Sequence, residues 1–315
     1  MTARYPRVVL GTCCLPWRED GALDAPLFQR SIRNLVQHGL RDLYVFGTAG
    51  EGHTVTEADF RRVTELYVET LADAGGAPPM VGVINLSLPT VIDRIRFGVE
   101  LGVKTFQFCL PAWGTINDRE VRRVFAEVCG SFPDRNFLHY NLGRTGRLVR
   151  PEEYAELAEI HPNLVAVKYG LGDPETIAGL SRLAPQLRHF FTEPGFYLGA
   201  PLGECGLLAS ISASNPVRAR AYFEAGVRGD WATLTSLYRE LAGVMSAVRR
   251  AAGGMGLNDG AYDKLIAKVA EPDFPLDLLP PYQSSTDDGY RQYVAELSAS
   301  YPGWLPETAR PESAQ

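Results

Sequence analysis

The chain has 315 residues, of which 45% are hydrophobic and 22% are charged, which is the balance of an ordinary globular protein. Its formal net charge of −6 argues against nucleic acid or an anionic membrane as the main partner. The stretch MTARYPRVVL lacks the apolar segment of a signal peptide, and no run of 18 apolar residues occurs, so the sequence predicts a cytoplasmic protein that makes no membrane contact.

Short apolar runs alternate with helical patterns along the first two thirds of the chain. The runs predict strands at 8–10, 43–46, 80–84, 105–110, 137–140, 164–168, 189–192 and 206–210. Eight strands separated by amphipathic helices and Gly/Pro-rich loops favour a closed parallel barrel. After residue 216 only helical patterns follow, at 217–226, 231–252, 261–270 and 287–300. The predicted fold is therefore an α/β (β/α)8 TIM barrel over residues 1–226, with a C-terminal helical extension over residues 227–315.

A tyrosine ends the fifth strand and a lysine ends the sixth, so both should emerge at the carboxyl edge of the parallel sheet. Lys168 lies in an apolar run, where burial lowers the pKa of an amine and frees it to attack a carbonyl. Tyr140 offers a hydroxyl for the proton transfers that Schiff-base chemistry needs. The alternatives are a lysine that extends to solvent or neutralises Glu193, and a tyrosine that only packs. We interpret Lys168 as a Schiff-base nucleophile and Tyr140 as its proton shuttle.

The loops that follow the strands supply candidate binding groups. The loop at 47–52 is small and Gly-rich, so its backbone N–H groups can hold a substrate carboxylate beside the Thr48 hydroxyl. Arg144 follows Tyr140 closely and can hold an anion, although an exposed surface arginine is an equal alternative. Trp113 can form an aromatic wall at the barrel mouth or simply pack in the core. The predicted substrate-binding residues are Thr48, Ala49, Gly50, Arg144, Trp113 and Ser210.

Other chemistries have little support in the sequence. The five histidines show no HxxxH spacing and the five cysteines no CxxC spacing, so we predict no metal site and no disulfide. GxSxG is absent, and no GxGxxG opens the first strand–helix unit.

Several motifs together resemble one family. They are GTAGE at 47–51 followed by T-x-T-E-A, YNLGRTG at 140–146, HPNLVAVK ending at Lys168, and LPPYQSST at 279–286. Tyr140 and Lys168 lie 168 − 140 = 28 positions apart. Over roughly residues 7 to 300 the chain is similar to the dihydrodipicolinate synthase/N-acetylneuraminate lyase family of class I, Schiff-base-forming lyases.

The resemblance implies a function and an assembly. Lys168 would form the imine with pyruvate or another 2-oxo acid, Tyr140 would relay protons, and Thr48 and Ala49 would bind the carboxylate through backbone N–H groups. Arg144 would line the entrance. The family also implies no metal or organic cofactor, a small-molecule substrate and usually a homotetramer, so we expect this chain to form a homo-oligomer, either a dimer or a tetramer.

The chain departs from the family pattern at positions that bear on its subfamily. Ala49 replaces a hydroxyl residue of the usual proton relay, and Ala112 and Trp113 stand where a dihydrodipicolinate synthase has tyrosines. Tyr169 replaces the usual glutamate after the lysine, and YNLGRTG is one residue shorter than YNxPxRTG. Lysine biosynthesis is therefore not expected, and Pro-x-Trp with Lys-Tyr is similar to aromatic-degrading hydratase-aldolases.

Three hypotheses follow from these observations. The first is an aldolase or lyase that adds or releases pyruvate. The second is a dehydratase of 2-keto-3-deoxy sugar acids from the same family. The third is a relative that binds 2-oxo acids without turnover, which the missing hydroxyl at Ala49 motivates.

Overall fold

Eight parallel strands close on one another in chain order. The computed structural model describes residues 3–254 and 256–306. The strands are β1 (Val9–Thr12), β2 (Leu43–Val45), β3 (Met80–Gly82), β4 (Thr105–Phe108), β5 (Asn136–Asn141), β6 (Leu164–Tyr169), β7 (Arg188–Phe191) and β8 (Gly206–Leu208). Each pairs with the next, and β8 pairs back with β1, so no strand of this barrel has a free edge. The predicted (β/α)8 barrel is confirmed.

Helices connect the strands and cover the outside of the barrel. They are α1 (Ala25–Gln37), α2 (Glu57–Asp73), α3 (Leu88–Glu100), α4 (Asp118–Ser131), α5 (Pro151–Ile160), α6 (Pro174–Leu183), α7 (Glu193–Gly199) and α8 (Pro216–Arg228). Side-chain caps start most of them; the Thr56 hydroxyl, for example, accepts a hydrogen bond from the N–H of Asp59 at 3.1 Å. The sequence pattern did not predict α7, because a seven-residue helix with glycines at 195 and 199 shows no helical periodicity.

Three further helices follow the barrel: α9 (Trp231–Ala251), α10 (Asp259–Ala270) and α11 (Asp287–Ser300). They confirm the predicted C-terminal helices, and α9 packs against α7, α8, α10 and α11. The predicted boundary at residue 226 falls in the last turn of α8, and the division into two units stays a prediction. Residues 307–315 of the predicted extension, and Met255 between the second and third predicted helices, lie outside the described residues. No helix in the described ranges is long and apolar enough to cross a membrane.

The register of β5 and β6 brings the two predicted catalytic residues side by side. Tyr140 pairs directly with Lys168, and the side chains of alternate residues on each strand point into the barrel. Leu138, Ala166 and Phe190 belong to a buried cluster of strand residues. Such a cluster fills the interior of the barrel, as is usual for this fold.

Candidate active site

The amine of Lys168 is buried between two tyrosine rings. The residue is 3% exposed. Its Nζ donates a hydrogen bond to the Tyr44 hydroxyl at 2.9 Å and lies 3.8 Å from the centre of the Tyr140 ring. The Tyr44 ring centre is 4.6 Å away. One hydroxyl and two aromatic faces therefore fix the position of the amine, and no carboxylate of the described residues forms an ion pair with it.

Burial favours the unprotonated form of the Lys168 amine. Removal from water lowers its pKa to about 7, because the charged ammonium loses hydration that the rings replace only in part. The carboxylates of Asp259 and Asp263 raise the pKa and the Arg144 guanidinium lowers it, but these effects are smaller than that of burial. A substantial fraction of the amine is therefore unprotonated at neutral pH, which is the form that attacks a carbonyl.

The Tyr140 hydroxyl has a single hydrogen-bond contact within the described residues. It accepts a hydrogen bond from the Thr48 hydroxyl at 3.5 Å, which is a long distance for such a bond. Burial raises the pKa of Tyr140, so the phenol is protonated at neutral pH and can donate its proton. The next residue after Thr48 is Ala49, whose methyl group cannot continue a chain of hydroxyls.

The loop at 47–52 has a backbone that few sequences can adopt. Phe46 and Glu51, at its two ends, have φ values of 63° and 52°, which are unusual for residues other than glycine. A Cβ at Gly82 on the neighbouring strand would lie 2.2 Å from the Phe46 carbonyl oxygen, so only glycine allows this close approach. Within the described residues the N–H groups of Thr48 and Ala49 donate to no acceptor. They are available to an anionic ligand.

An ion pair anchors this loop to α10. Lys264 Nζ lies 2.7 Å from Glu51 Oε1, and both side chains are almost completely buried. Glu51 Oε2 also accepts a hydrogen bond from the N–H of Leu279 at 2.8 Å. A buried pair of this kind fixes geometry even where it contributes little net stability. It holds the N-terminal turns of α10 above the barrel mouth.

The carboxyl ends of the strands and the helices α9 and α10 enclose a cavity of about 760 Å³. Of the predicted site residues, the structure brings Lys168, Tyr140, Ala49, Arg144 and Ser210 to its wall. This volume is well above that of pyruvate alone and leaves room for a larger second substrate or product.

Three predicted binding residues lie outside the cavity wall. The Thr48 side chain is buried behind it and contacts the site through the Tyr140 hydroxyl, while the Thr48 N–H donates to no acceptor among the described residues. Gly50 faces the backbone of Phe46 and Cys13, where its missing side chain allows the loop to pack. Trp113 is 88% exposed on the loop after β4, so in this chain alone it forms neither an aromatic wall nor part of the core. The direction of a loop side chain does not follow from its place in the sequence, which is why the two expectations for Trp113 are not met.

Arg144 is held by an acidic partner. Its guanidinium donates to both oxygens of Asp259, at 2.6 and 3.2 Å, across the cavity rim. The two side chains are 50% and 35% exposed, so solvent weakens the pair. The geometry orients the guanidinium edge at the entrance.

Sequence reasoning missed three residues that shape the site: Tyr44, Asp259 and Asp263. Tyr44 lies in an apolar strand where a tyrosine is expected to pack in the core, although its hydroxyl contacts the lysine amine. Asp259 and Asp263 are four residues apart and therefore share one face of α10. That spacing of two acids on a helix with buried neighbours was the available signal. Among the described residues, no three His, Cys, Asp or Glu side chains converge to hold a metal ion.

Comparison with known proteins identifies the family. The family model for the dihydrodipicolinate synthetase family matches residues 6–295. The chain belongs to this family. Its lyases and synthases use Schiff-base chemistry on pyruvate-type substrates.

Individual relatives are distant. A 4-hydroxy-tetrahydrodipicolinate synthase of Thermus thermophilus is 29% identical over 238 residues, covering 74% of this chain and 78% of the relative. The enzyme of the same name from Parasynechococcus marenigrum is 26% identical over 277 residues, covering 86% of this chain and 89% of the relative.

Two solved structures show the same fold at low sequence identity. One is YagE, a prophage protein of the dihydrodipicolinic acid synthase family from E. coli K12 in complex with pyruvate, with a TM-score of 0.83, 16% identity and coverage of 94% of this chain and 98% of that chain. The other is N-acetylneuraminate lyase from Fusobacterium nucleatum, with a TM-score of 0.81, 16% identity and coverage of 93% and 98%.

Proposed function

We propose that this protein is a class I aldolase or lyase that adds or releases pyruvate, or a related 2-oxo acid, through an imine on Lys168. The observation that carries the proposal is the buried Lys168 amine, with its pKa lowered to about 7, in a cavity at the carboxyl edge of the barrel. Membership of a Schiff-base family supports it, as does the bound pyruvate named for YagE.

In the proposed complex the substrate carboxylate binds the N–H groups of Thr48 and Ala49, and its 2-oxo carbon faces Lys168 Nζ. The amine attacks this carbon to give a carbinolamine, which loses water to form the imine. Tyr140 donates and accepts the protons of these steps, since its phenol is protonated and lies against the amine. The imine then accepts the electrons of a breaking carbon–carbon bond and becomes an enamine. Arg144, hydrogen-bonded to Asp259, lies at the entrance of the cavity.

The test is trapping of the imine. Purified protein is incubated with pyruvate and borohydride, and the mass of the Lys168 peptide is measured. We expect the mass of one reduced pyruvate adduct on Lys168, no adduct on Lys168→Ala, and slow but detectable trapping on Tyr140→Phe. Lys104→Ala, a change of an exposed lysine at the opposite end of the barrel, is the matched control and should trap like the wild type. A wild-type protein that forms no adduct refutes the Schiff-base mechanism.

Ala49 favours a second candidate function, binding of 2-oxo acids without turnover. The Thr48 hydroxyl contacts Tyr140, but Ala49 has no hydroxyl with which to extend the relay. Trapping without turnover on a panel of 2-oxo acids and aldehydes would support that candidate. Release of water from a 2-keto-3-deoxy sugar acid, with all carbons retained, would instead identify a dehydratase.

We also propose that the chain assembles into a homo-oligomer, a dimer or a tetramer. Exposed apolar side chains on the loops around the barrel support this, with Trp113 at 88%, Leu86 at 57% and Leu171 at 57% exposure. Light scattering coupled to gel filtration measures the mass directly. A monomer of 34.6 kDa at micromolar concentration contradicts the proposal.

A further inference from the structure

Asp263 is a buried carboxyl group with few of the partners that such groups normally have. The residue is 5% exposed, and its Oδ1 has no hydrogen-bond partner within the described part of the chain. No cation among the described residues forms an ion pair with it, whereas Asp259, one turn earlier, is paired with Arg144. A buried carboxyl oxygen without a partner is unfavourable, so its presence needs a reason.

The carboxyl group of Asp263 lies on the wall of the cavity that contains Lys168. The charges facing it come from three directions: Asp259 on its own helix, Glu193 at the start of α7, and Lys168 on β6. The Ser210 side chain, after β8, hydrogen-bonds to this carboxyl group and lowers its pKa, as the charge of Lys168 also does. Burial is the main reason why the pKa of Asp263 is raised to about 7, and the two carboxylates add to it. Both protonation states are therefore accessible near neutral pH.

The loop at 47–52, where Ala49 stands in place of a hydroxyl residue, contacts α10, the helix that carries Asp263. A Cβ on Gly260 in α10 would lie 3.5 Å from the Ala49 carbonyl oxygen, so the helix packs directly on the loop. Lys264, next to Asp263, is fixed by Glu51 of the same loop. These contacts hold α10, and with it Asp263, against the loop that would bind the substrate carboxylate, which suits a group that must contact one substrate atom.

Among the described residues the Tyr140 hydroxyl has only Thr48 as a hydrogen-bond contact, whereas Asp263 brings a carboxyl group with a free oxygen to the wall of the same cavity. We propose that Asp263 is the acid–base residue for the hydroxyl group on C4 of the aldol adduct, the 4-hydroxy-2-oxo acid that a pyruvate aldolase cleaves. This inference rests on the imine at Lys168 and adds a catalytic residue to the same site.

In the cleavage direction the Asp263 carboxylate removes the proton of the C4 hydroxyl. The O–H electron pair becomes the carbonyl bond of the departing aldehyde, and the C3–C4 bond breaks. Its electrons form the C2–C3 double bond, and those of the protonated imine move to nitrogen, which gives the neutral enamine. Tyr140 then protonates C3, and water releases pyruvate from Lys168. In the addition direction protonated Asp263 returns the proton to the aldehyde oxygen.

The test separates imine formation from bond cleavage. Wild type and Asp263→Asn are mixed with a panel of 4-hydroxy-2-oxo acids that carry a methyl, carboxylate, phenyl or polyol group on C4, and are trapped with borohydride. For the substrate that the wild type cleaves, we expect the pyruvate mass on Lys168 in the wild type and the intact hydroxy-acid mass in Asp263→Asn. Cleavage should slow by about 10²–10⁴-fold. Trapping of pyruvate itself and exchange of its methyl protons in deuterated water should stay within about threefold of the wild-type rates, because neither involves a C4 hydroxyl.

Two further variants test whether Asp263→Asn slows cleavage only by disturbing the structure. Asp263→Ala opens space for a small carboxylate, so added formate should restore part of its cleavage rate. Asp93→Asn changes a surface carboxylate on α3 and should leave all readouts unchanged.

Three results would overturn the assignment of Asp263: cleavage by Asp263→Asn within about tenfold of wild type, equal loss of pyruvate trapping and cleavage, or a wild type that traps pyruvate but cleaves no member of the panel. Absence of any pyruvate adduct on wild-type Lys168 is a different outcome and removes the imine mechanism itself.

Discussion

Loss of Lys264 tests whether the buried ion pair organises the mouth of the barrel. In Lys264→Met the Glu51 carboxylate keeps the hydrogen bond from Leu279 but loses its counter-charge 2.7 Å away, in a place where it is 1% exposed. Removing one partner of a buried pair leaves an uncompensated charge and costs about 3–5 kcal/mol. We expect the free energy of unfolding in urea to fall by that amount, at one fixed protein concentration.

The double variant Glu51→Gln/Lys264→Met separates charge from packing. Glutamine still accepts the Leu279 N–H and carries no charge, so the double variant should recover about 2 kcal/mol of the loss, since an imperfectly paired neutral group costs about 1–3 kcal/mol. Asp93→Asn, which breaks a pair whose side chains are 62% and 65% exposed, should cost less than about 1 kcal/mol.

The pH dependence of the single variant has a definite sign. Burial already raises the pKa of Glu51 and Lys264 opposes this, so removing the lysine raises the folded-state pKa further above the unfolded value of about 4.3. A raised carboxyl pKa gives stability that is present at low pH and lost as pH rises through the folded pKa. Lys264→Met should therefore lose more stability at pH 8 than at pH 5. A loss below about 1 kcal/mol, or a double variant no more stable than the single one, would refute the argument.

Three further predictions concern the amine. The rate of pyruvate trapping should rise about tenfold per pH unit below pH 7 and level off above it. The reason is the Lys168 pKa of about 7, which is set mainly by burial, with smaller effects of Asp259, Asp263 and Arg144. Trapping stopped at timed intervals and followed by mass spectrometry gives the profile, and a midpoint near pH 10 would contradict the prediction. Arg144→Met should move that midpoint to higher pH, since the guanidinium lowers the Lys168 pKa and shields Asp259; a midpoint shift in the opposite direction counts against this electrostatic account. Tyr44→Phe removes the hydroxyl that lies 2.9 Å from Lys168 Nζ and should slow imine formation by about 10–100-fold. Circular dichroism should show an unchanged fold. An unchanged rate of imine formation would show that the contact plays no part in the reaction.

The alternation of apolar runs and helical patterns was enough to predict the barrel. Strand periodicity and turn residues are local properties, so the eight strands could be placed within a few residues, and helices were expected between them; α7 was missed because it is too short to show a period. The pairing of Tyr140 with Lys168 also followed, because the carboxyl ends of neighbouring parallel strands lie together.

Contacts between distant segments could not be predicted in this way. Trp113 points to solvent and Gly50 into the loop, because loop geometry depends on what packs behind it. Tyr44 looks like a core residue in the sequence, and only closure of the barrel carries its hydroxyl to the lysine amine 124 positions away.

The sequence by itself determined the fold class, the strand-end lysine and tyrosine, and the departure at Ala49, because each of these depends on residue type and local spacing. Only the tertiary structure decided that Asp263 enters the same cavity. Its carboxyl group is brought there by α10, which is fixed by a charge pair between residues 51 and 264. The burial of a side chain depends on every segment that packs around it. The pKa values of Lys168 and Asp263 depend on that burial, so they could not be predicted from a local sequence pattern.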